Sequence, residues 1–404
     1  MPDPARSVPA GPTGLGTPVP ARARRPVPAE RPAPGTGVRP PRRAIRSLRP
    51  SFLFESRPED EGLVNLRDNE NPFAGPHRHY PDNTHRTLVE LYAAALDVLE
   101  GAGPRAAAER PERTRWRWGP ETILPTRGAG DALDLLFRTF FEPRADTVAV
   151  TPPSFALFDE LAAVHEIGCL AVPLTGTAHD RLDVAALASS GAAGIFLCDP
   201  GNPVGTSLRP GELERLLDAY DGLVVVDEAY VEYAGRPSHR HLVPGRPNLV
   251  VVRSMSKALG LAALRLGAVL AHPAIVTALR RARLPFTLPA PVVAEAEAAL
   301  ADPVGLRRAI DLFVAERDRL AAGLRRCPGL GRVGSAAGFV TVRTERPASE
   351  VAARLRAAGL ATLPDPMGWR GHLRVSVGSP AVNDRLLAVL TEAGRRTTER
   401  RGLP

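Results

Sequence analysis

Residues 253–260 read Arg253-Ser254-Met255-Ser256-Lys257-Ala258-Leu259-Gly260, and they contain the only lysine of the chain. The sequence has 52 basic residues, so every other one is an arginine. Arginine cannot supply a deprotonated nitrogen near neutral pH, whereas burial can lower the pKa of a lysine towards neutrality. An amine that attacks a carbonyl or moves a proton must therefore be a lysine. The alternative is a lysine kept by chance on an exposed helix end, and the flanking sequence decides between the two.

Short apolar runs lie on the N-terminal side of this lysine and alternate with helical patterns. The runs are β-branched and nearly continuous in hydrophobicity, as is typical of parallel strands buried on both faces. They are Thr147–Val150, 193–198, Leu223–Asp227 and 249–252. Helices are predicted at 131–141, 155–166 and 211–220. The alternation predicts an α/β fold with a mostly parallel sheet, in which ligands bind at the carboxyl ends of the strands.

The residues that follow these strands therefore identify the site. Gly128-Ala129-Gly130 opens a helix, where backbone N–H groups and the helix dipole favour a phosphate. An aromatic ring, an amide, a carboxylate with a phenol, and two hydroxyls beside the lysine follow the later strands. They are Phe155, Asn202, Asp227 with Tyr230, and Ser254 and Ser256 with Lys257. A phosphorylated pyridine aldehyde requires this set of groups, because each part of that molecule finds a partner in it.

At this point the sequence resembles the fold type I pyridoxal-phosphate aminotransferases of class I/II, and among them the histidinol-phosphate aminotransferase-like subfamily. The resemblance extends from about residue 65 to 390. Its motifs are Asn69-Glu70-Asn71-Pro72, Tyr80-Pro81-Asp82, Gly201–Gly205, Asp227–Tyr230, Ser254–Lys257 with Arg265, and Leu373–Gly378. The resemblance implies a large domain with a mostly parallel, seven-stranded sheet, a smaller α/β domain, and a pyridoxal 5'-phosphate-dependent transamination.

Carried over to this chain, the resemblance implies a role for each site residue. Lys257 binds the cofactor aldehyde as an imine and later moves a proton, and Asp227 holds the pyridinium nitrogen. Asn202 and Tyr230 bond the 3' oxygen, and Phe155 stacks on the ring. The phosphate ligands are Ser254, Ser256, Arg265 and the backbone of Ala129 and Gly130. Tyr80 reaches the phosphate of a neighbouring subunit, which implies a homodimer, and Arg374 binds the substrate carboxylate.

The departures from the family pattern concern the substrate. Gly338-Phe339 stands where Asn-Phe is usual, and Leu363 stands where histidinol-phosphate enzymes carry an arginine for the substrate phosphate. Leucine cannot hold a dianion, and Arg370 is the nearest other cation in the sequence. We therefore expect transamination of a non-phosphorylated amino acid with a 2-oxo acid. Decarboxylation, as in threonine-phosphate decarboxylases, or cyclisation remains an alternative, because these reactions begin from the same bound substrate.

Composition locates the charge of the chain in its N-terminal arm. The net charge is +8, and residues 1–50 contain ten arginines but only two acidic residues, so the remainder is neutral. Residues 1–45 are rich in proline and arginine and are predicted to be a disordered arm. No export signal or membrane span is recognised, so a cytoplasmic location is expected. A regulator that uses the arm on nucleic acid is a further alternative, although the arm lacks helix-turn-helix periodicity.

Domain boundaries and minor motifs complete the prediction. Residues 46–85 are expected to pack with the small domain, 86–285 to form the large cofactor-binding domain, and 286–404 to form the small domain. The three cysteines lack metal-ligand spacing and are predicted to be reduced thiols packed as small hydrophobic groups. No metal site is predicted at the two His-Arg-His segments, at 77–79 and 239–241. The segment 115–118, Arg-Trp-Arg-Trp, is interpreted as surface packing rather than as a single-strand nucleic-acid patch.

Overall fold

The structure is a computed structural model that describes residues 37–48, 63–64, 66–101 and 116–401, with side chains described as far as residue 392. Most of the predicted arm, residues 1–36, lies outside the described residues. The first described helix, α1, spans Arg43–Arg46 and precedes the α/β body. None of the described helices is long and apolar enough to cross a membrane.

Residues 37–45 belong to the predicted arm, but in the structure they lie against the large domain. The guanidinium of Arg39 lies 2.5 Å from the Asp146 carboxylate and donates to the Phe140 carbonyl at 3.0 Å. The backbone N–H of Arg42 donates to the Thr139 carbonyl at 2.8 Å. Residues 37–45 therefore differ from the predicted disordered arm, because they dock through arginine contacts, backbone hydrogen bonds and the apolar packing of Val38 and Ile45.

A seven-stranded sheet forms the centre of the large domain. Its strands are β1 (Ile123–Thr126), β2 (Thr147–Val150), β3 (Gly168–Ala171), β4 (Gly194–Cys198), β5 (Leu223–Asp227), β6 (Leu249–Ser254) and β7 (Gly267–Ala271). Their order across the sheet is β1-β7-β6-β5-β4-β2-β3. β7 is antiparallel to β1 and β6, and the other adjacent pairs are parallel. The prediction of a mostly parallel α/β sheet is therefore confirmed.

Both faces of this sheet are buried, which explains the nearly continuous apolar runs. In β4, Ile195 and Leu197 contribute to one hydrophobic core, and Phe196 and Cys198 contribute to another. Successive side chains of a strand point to opposite faces, so the two cores are the two layers that cover the sheet. Cys169 differs from the prediction of packed thiols, because it lies exposed on the edge strand β3.

Helices and short 3₁₀ segments connect the strands of this sheet and those of a second, four-stranded sheet in the small domain. The α-helices after α1 are α2 (Arg86–Leu99), α3 (Ala129–Phe140), α4 (Leu157–Val164), α5 (Val184–Ala188), α6 (Glu212–Ala219), α7 (Pro273–Ala282), α8 (Ala290–Leu300), α9 (Pro303–Arg325), α10 (Ala348–Ala357) and α11 (Pro380–Arg401). The 3₁₀ segments are Val231–Tyr233, His239–Gly245, Ala262–Leu264 and Pro366–Gly368. The helices predicted at 155–166 and 211–220 are present with slightly shorter bounds, and the one predicted at 131–141 begins two residues earlier.

The small domain contains a four-stranded antiparallel sheet. Its strands are β8 (Leu330–Gly334), β9 (Phe339–Thr344), β10 (Leu363–Pro364) and β11 (His372–Ser376), in the order β10-β11-β9-β8. A separate hydrophobic core supports it and includes Leu320 and Leu324 from the end of α9. Ala296 of α8 and Ile310 of α9 belong instead to a large-domain core. The hydrophobic cores therefore divide inside α9, and the domain boundary predicted at residue 286 stays a prediction.

Candidate active site

The N-terminus of α3 and the side chain of Arg265 form an anion-binding corner. Gly128 caps the helix with φ 86°, and Ala129 and Gly130 begin it. A Cβ on Gly128 would lie 3.1 Å from Nη2 of Arg265, so the guanidinium covers the start of the helix. Nη1 of Arg265 donates to Oγ of Ser256 at 3.1 Å. Free helix N–H groups, a guanidinium and a hydroxyl thus converge at one point, as a phosphate requires.

The corner depends on the close approach of β7 to α3. A Cβ on Gly267 would lie 2.6 Å from the carbonyl carbon of Gly128 and 2.7 Å from the backbone nitrogen of Ala129. Ser254 at the end of β6 is buried, and its Oγ accepts the N–H of Ser256 at 3.2 Å. In this structure, Ser254 therefore holds the turn that carries Ser256 and Lys257.

Asp227 ends β5 as an almost fully buried carboxylate. The backbone N–H of Ala229 donates to Oδ1 of Asp227 at 2.9 Å. Burial raises the pKa of Asp227 to about 6; the Ala229 hydrogen bond and the charge of Lys257 oppose this shift, whereas Glu228 reinforces it. A cation placed against this carboxylate would favour its ionised form. Asp227 is therefore suited to hold a protonated ring nitrogen.

Lys257 lies exposed after β6, between the corner and Tyr230. Its Nζ is 6.0 Å from the centre of the Tyr230 ring. Partial desolvation of the amine lowers the pKa of Lys257 although the residue as a whole is exposed, and the charges of Arg374 and Arg265 lower it further. Burial also raises the pKa of Tyr230 above its ordinary value. Lys257 therefore loses its proton at a lower pH than an isolated lysine does.

Side chains from the small domain close the other side of the site. Nη1 of Arg374, on β11, donates to Oδ1 of Asn202 at 2.7 Å, and the guanidinium lies 5.0 Å from the centre of the Phe339 ring. Phe339 meets Tyr230 edge-on at 5.4 Å. A Cβ on Gly338 would lie 3.3 Å from Cδ1 of Tyr230, so the glycine that departs from the family pattern leaves room for this ring.

Two predicted residues lie at the margin of this arrangement. Phe155 is half-buried and packs edge-on against Phe158, with ring centres 6.0 Å apart. Tyr80 is 55% exposed and stacks on Phe286 at 4.6 Å. The structure does not place Tyr80 against the anion corner of its own chain. This position is compatible with a contact to a second subunit.

Buried charges behind the site were not predicted. Arg253 is fully buried and donates to Glu100 and Glu232 at 2.7 Å each, while Glu228 lies 3.6 Å away. Asp199 lies 2.7 Å from Arg236 and 2.8 Å from His239. The signal that identifies Asp227 could also have found two of these residues, since Asp199 and Glu228 are acids just after apolar strands.

Residues 61–390 match the model of the family described as aminotransferase class I and II. The chain belongs to the class I and II aminotransferases. This aminotransferase is 36% identical, over 349 residues, to the histidinol-phosphate aminotransferase of Stenotrophomonas maltophilia, an alignment that covers 82% of this chain and 90% of that one. The corresponding enzyme of Xylella fastidiosa strain Temecula1 is 40% identical over 286 residues, with 68% of this chain and 78% of the relative covered.

Solved structures have the same fold. The histidinol-phosphate aminotransferase of Sinorhizobium meliloti, solved in complex with pyridoxal-5'-phosphate, is 25% identical, with a TM-score of 0.67 and coverage of 80% of this chain and 84% of that one. The L-threonine-O-3-phosphate decarboxylase of Porphyromonas gingivalis is 23% identical, with a TM-score of 0.64 and coverage of 78% and 91%. The decarboxylase shows a likeness in fold alone.

The cofactor of this aminotransferase is pyridoxal 5'-phosphate. The residues fit it on two observations. Arg265 and the glycine-lined start of α3 leave an anion corner whose donors have room for a phosphate. Asp227 is a buried carboxylate with a raised pKa, and a cation such as a protonated pyridine nitrogen would stabilise its ionised form. An amine of lowered pKa lies beside them at Lys257.

Proposed function

We propose that this aminotransferase transfers the amino group of histidinol phosphate to a 2-oxo acid. The observation that carries the reaction type is the position of Lys257, whose amine lies near Asp227, Arg265 and Arg374 with a lowered pKa. The names of the relatives support the donor, because two enzymes 36% and 40% identical to this chain are histidinol-phosphate aminotransferases.

In this proposal each residue has one task. Bound pyridoxal phosphate supplies an electron sink for the carbanion that forms when a Cα–H bond breaks. Nζ of Lys257 would take the proton from the donor's Cα and would return it on the far side of the nitrogen that joins the donor to the cofactor. Asp227 keeps a proton on the ring nitrogen through its buried carboxylate. The cofactor oxygen and ring are held by Asn202, Tyr230 and Phe155.

The phosphate of the cofactor is assigned to the corner at the start of α3. Arg265 and Ser256 bind it from one side, and the N–H groups of Ala129 and Gly130 bind it from the other. Ser254 supports the corner by holding the turn of Ser256. Tyr80 is assigned to the phosphate of a second subunit, which makes the enzyme a homodimer with shared sites. A cytoplasmic location remains a prediction that cell fractionation would test.

Leu363 favours a second candidate donor, a non-phosphorylated amino acid. It is paired directly with Arg374 across β10 and β11 and is 39% exposed, so an arginine at this position would stand beside the carboxylate-binding group. A leucine offers no charge there. Arg370, the substitute suggested by the sequence, is exposed on the turn before β11.

A donor panel tests the proposal. Purified holoenzyme is assayed with 2-oxoglutarate and with histidinol phosphate, histidinol, or a set of ordinary amino acids, while release of carbon dioxide is followed in parallel. A kcat/KM for histidinol phosphate at least about tenfold above all other donors is the expected result. A better non-phosphorylated donor would support the Leu363 alternative, and carbon dioxide release without amino transfer would support a decarboxylase.

The variant Leu363→Arg sharpens this panel. An added guanidinium should raise kcat/KM selectively for phosphorylated donors, by roughly tenfold for one charge-assisted contact. Leu363→Gln serves as the matched control, since it adds a polar side chain at the same exposed position without a charge. If wild-type enzyme already prefers histidinol phosphate and Leu363→Arg leaves that preference unchanged, the phosphate is bound away from position 363.

A further inference from the structure

A cavity of about 390 Å³ lies between the large and small domains. The large domain contributes Thr177 and His179 from the connection between β3 and α5. The small domain contributes Arg332, Arg343, Trp369 and His372. This volume is within the range of small-molecule sites, which is about 300–1,000 Å³.

The cavity is separated from the candidate active site by contacts between the domains. On β11, His372 lies two residues from Arg374, which places them about 7 Å apart along one face of the strand. Arg374 is engaged with Asn202, and Oγ1 of Thr341 donates to the carbonyl of Pro203 at 2.7 Å. Thr341 and Val204 both line the cavity, so the Thr341–Pro203 hydrogen bond forms part of the wall on the side of Arg374.

The cavity is rich in cationic groups that have no anionic partner. Among the residues that the structure describes, no carboxylate lies within ion-pair distance of Arg332 or Arg343. Nδ1 of His179 is buried without a hydrogen-bond partner in the same part of the chain. Burial lowers the pKa of His372, and the nearby charges of Arg343 and His179 lower it further.

Two carboxylates stand close by without filling this role. Asp180 acts electrostatically on Arg332 from beyond ion-pair distance; its Oδ2 accepts from Arg209 at 2.8 Å, and its Oδ1 is buried without a hydrogen-bond partner among the described residues. Asp365 acts on His372, and its Oδ1 accepts the N–H of Gly371 at 2.7 Å. The two guanidiniums are therefore left for an anion from solution.

We propose that this cavity binds a phosphate group of a small metabolite, at a site separate from the cofactor and the amino donor. Two arginines match the geometry and charge of phosphate, and the unpartnered ring nitrogen of His179 can add a hydrogen-bond donor. Trp369 stacks on His372 at 3.5 Å and forms a flat wall that a ring of the same metabolite can contact. A ligand here touches both domains and holds them together beside Arg374.

Calorimetric titration of cofactor-saturated protein with inorganic phosphate tests the site, because the cofactor's own phosphate corner is then filled. Wild-type protein should bind phosphate, and the double variant Arg332→Gln/Arg343→Gln should bind it at least roughly tenfold more weakly. Arg370→Gln, which removes a nearby arginine outside the cavity, should bind as wild type does. No binding by wild-type holoenzyme, or equal binding by the double variant, would overturn the proposal.

Two further measurements distinguish this cavity from a damaged fold and from the donor site. Thermal unfolding of the double variant without phosphate should match that of wild type, because both arginines are exposed and unpaired. In steady-state transamination, phosphate should act noncompetitively against the amino donor, whichever donor the enzyme uses. Competitive inhibition would show that phosphate binds in the amino-donor site, and this result would contradict a separate phosphate site. The titration itself needs no turnover, so it does not depend on the proposed function.

Discussion

Asp227 shows how a single residue prepares the site for its cofactor. Its carboxylate is 2% exposed, and one backbone N–H is its hydrogen-bond donor among the described residues. Without the cofactor, its ionised form is disfavoured by burial and by the adjacent Glu228. A protonated ring nitrogen would relieve both effects, so cofactor binding and ionisation of Asp227 are linked.

This linkage predicts a pH dependence of stability in the cofactor-free protein. The folded pKa of Asp227 is about 6, above the ordinary value of 3.8, so its contribution is complete below about pH 4 and is lost as pH rises through 6. Relative to Asp227→Asn, the free energy of unfolding of the wild type should fall by roughly 2–3 kcal/mol between pH 4 and 7. Urea unfolding of both proteins measures it, and parallel pH profiles would contradict the assignment.

At the scale of elements, the anion-binding corner forms because β7 lies directly against the start of α3. Gly267 is the contact point, and its paired residue across β6 and β7 is Ser254. Any side chain at 267 would meet backbone atoms of Gly128, Ala129 and Arg253, which cannot rotate away. The strand and the helix would have to separate.

Gly267→Ala should therefore weaken both the fold and cofactor binding. Forced overpacking against backbone costs about 1–3 kcal/mol, and displacement of α3 should raise the cofactor Kd by at least about tenfold. Gly245→Ala is the matched control, because a Cβ on Gly245 meets nothing within 4 Å. Urea unfolding and cofactor titration measure the two effects. Wild-type values for Gly267→Ala would show that the strand and helix can part without cost.

The buried ion network behind β5 and β6 gives a second prediction at this scale. Arg253→Met leaves Glu232 buried without its cation, whereas Glu100 keeps Arg240; the loss should cost about 3–5 kcal/mol in the free energy of unfolding. Adding Glu232→Gln to this variant should restore part of the loss. Arg319→Met, at an arginine exposed to solvent beside Glu316, should change stability far less. Denaturant unfolding compares the four proteins, and equal losses for Arg253→Met and Arg319→Met would contradict the argument.

The sequence predicts elements best where the pattern is local. The strands at Thr147–Val150 and Leu223–Asp227 have the predicted bounds, because burial on both faces leaves an apolar run in the sequence. β7 was not predicted, although it lies only ten residues after Lys257. Its antiparallel pairing with β1 and β6 depends on tertiary structure, and the five small and apolar residues of the strand contain no local signal for it. The division of α9 between two cores has no local signal either.

At the scale of the whole molecule, the site is assembled from two domains. Asn202 and Pro203 on the large-domain side meet Arg374 and Thr341 on the small-domain sheet through hydrogen bonds of 2.7 Å each. The substrate recognition predicted for Arg374 would thereby be coupled to the relative position of the domains. The exposed Tyr80 extends this dependence to a second copy of the chain in the proposed homodimer.

A complementation experiment tests this shared site. Lys257→Ala and Tyr80→Ala each damage a site, but a mixed dimer contains one site with an intact lysine and an intact partner tyrosine. After unfolding and refolding together in equal amounts, the mixture should recover about a quarter of wild-type activity. Each variant refolded alone gives the baseline. Activity no greater than the average of the two baselines would contradict a shared site.

Whole-molecule features were the least accessible to sequence reasoning. The sequence alone predicted that Asp227, Asn202 and Lys257 lie at one edge of the sheet, because the carboxyl ends of parallel strands meet at the same edge. The arginines of the interdomain cavity belong to β8 and β9 and meet His179 only after the domains pack. In the sequence, Arg332 and Arg343 are two arginines among 51, and nothing distinguishes them.

Lys257 is the only lysine of the chain, and this has a consequence outside catalysis. Apart from the N-terminal amine, the chain offers amine-directed reagents one target, and that target is exposed in the active site. Acylating dyes, crosslinkers and cellular acetylation would therefore all report on, and abolish, the same group. Peptide mapping after such labelling should show one modified lysine whose yield falls as the cofactor is added, which makes lysine labelling a direct count of empty sites.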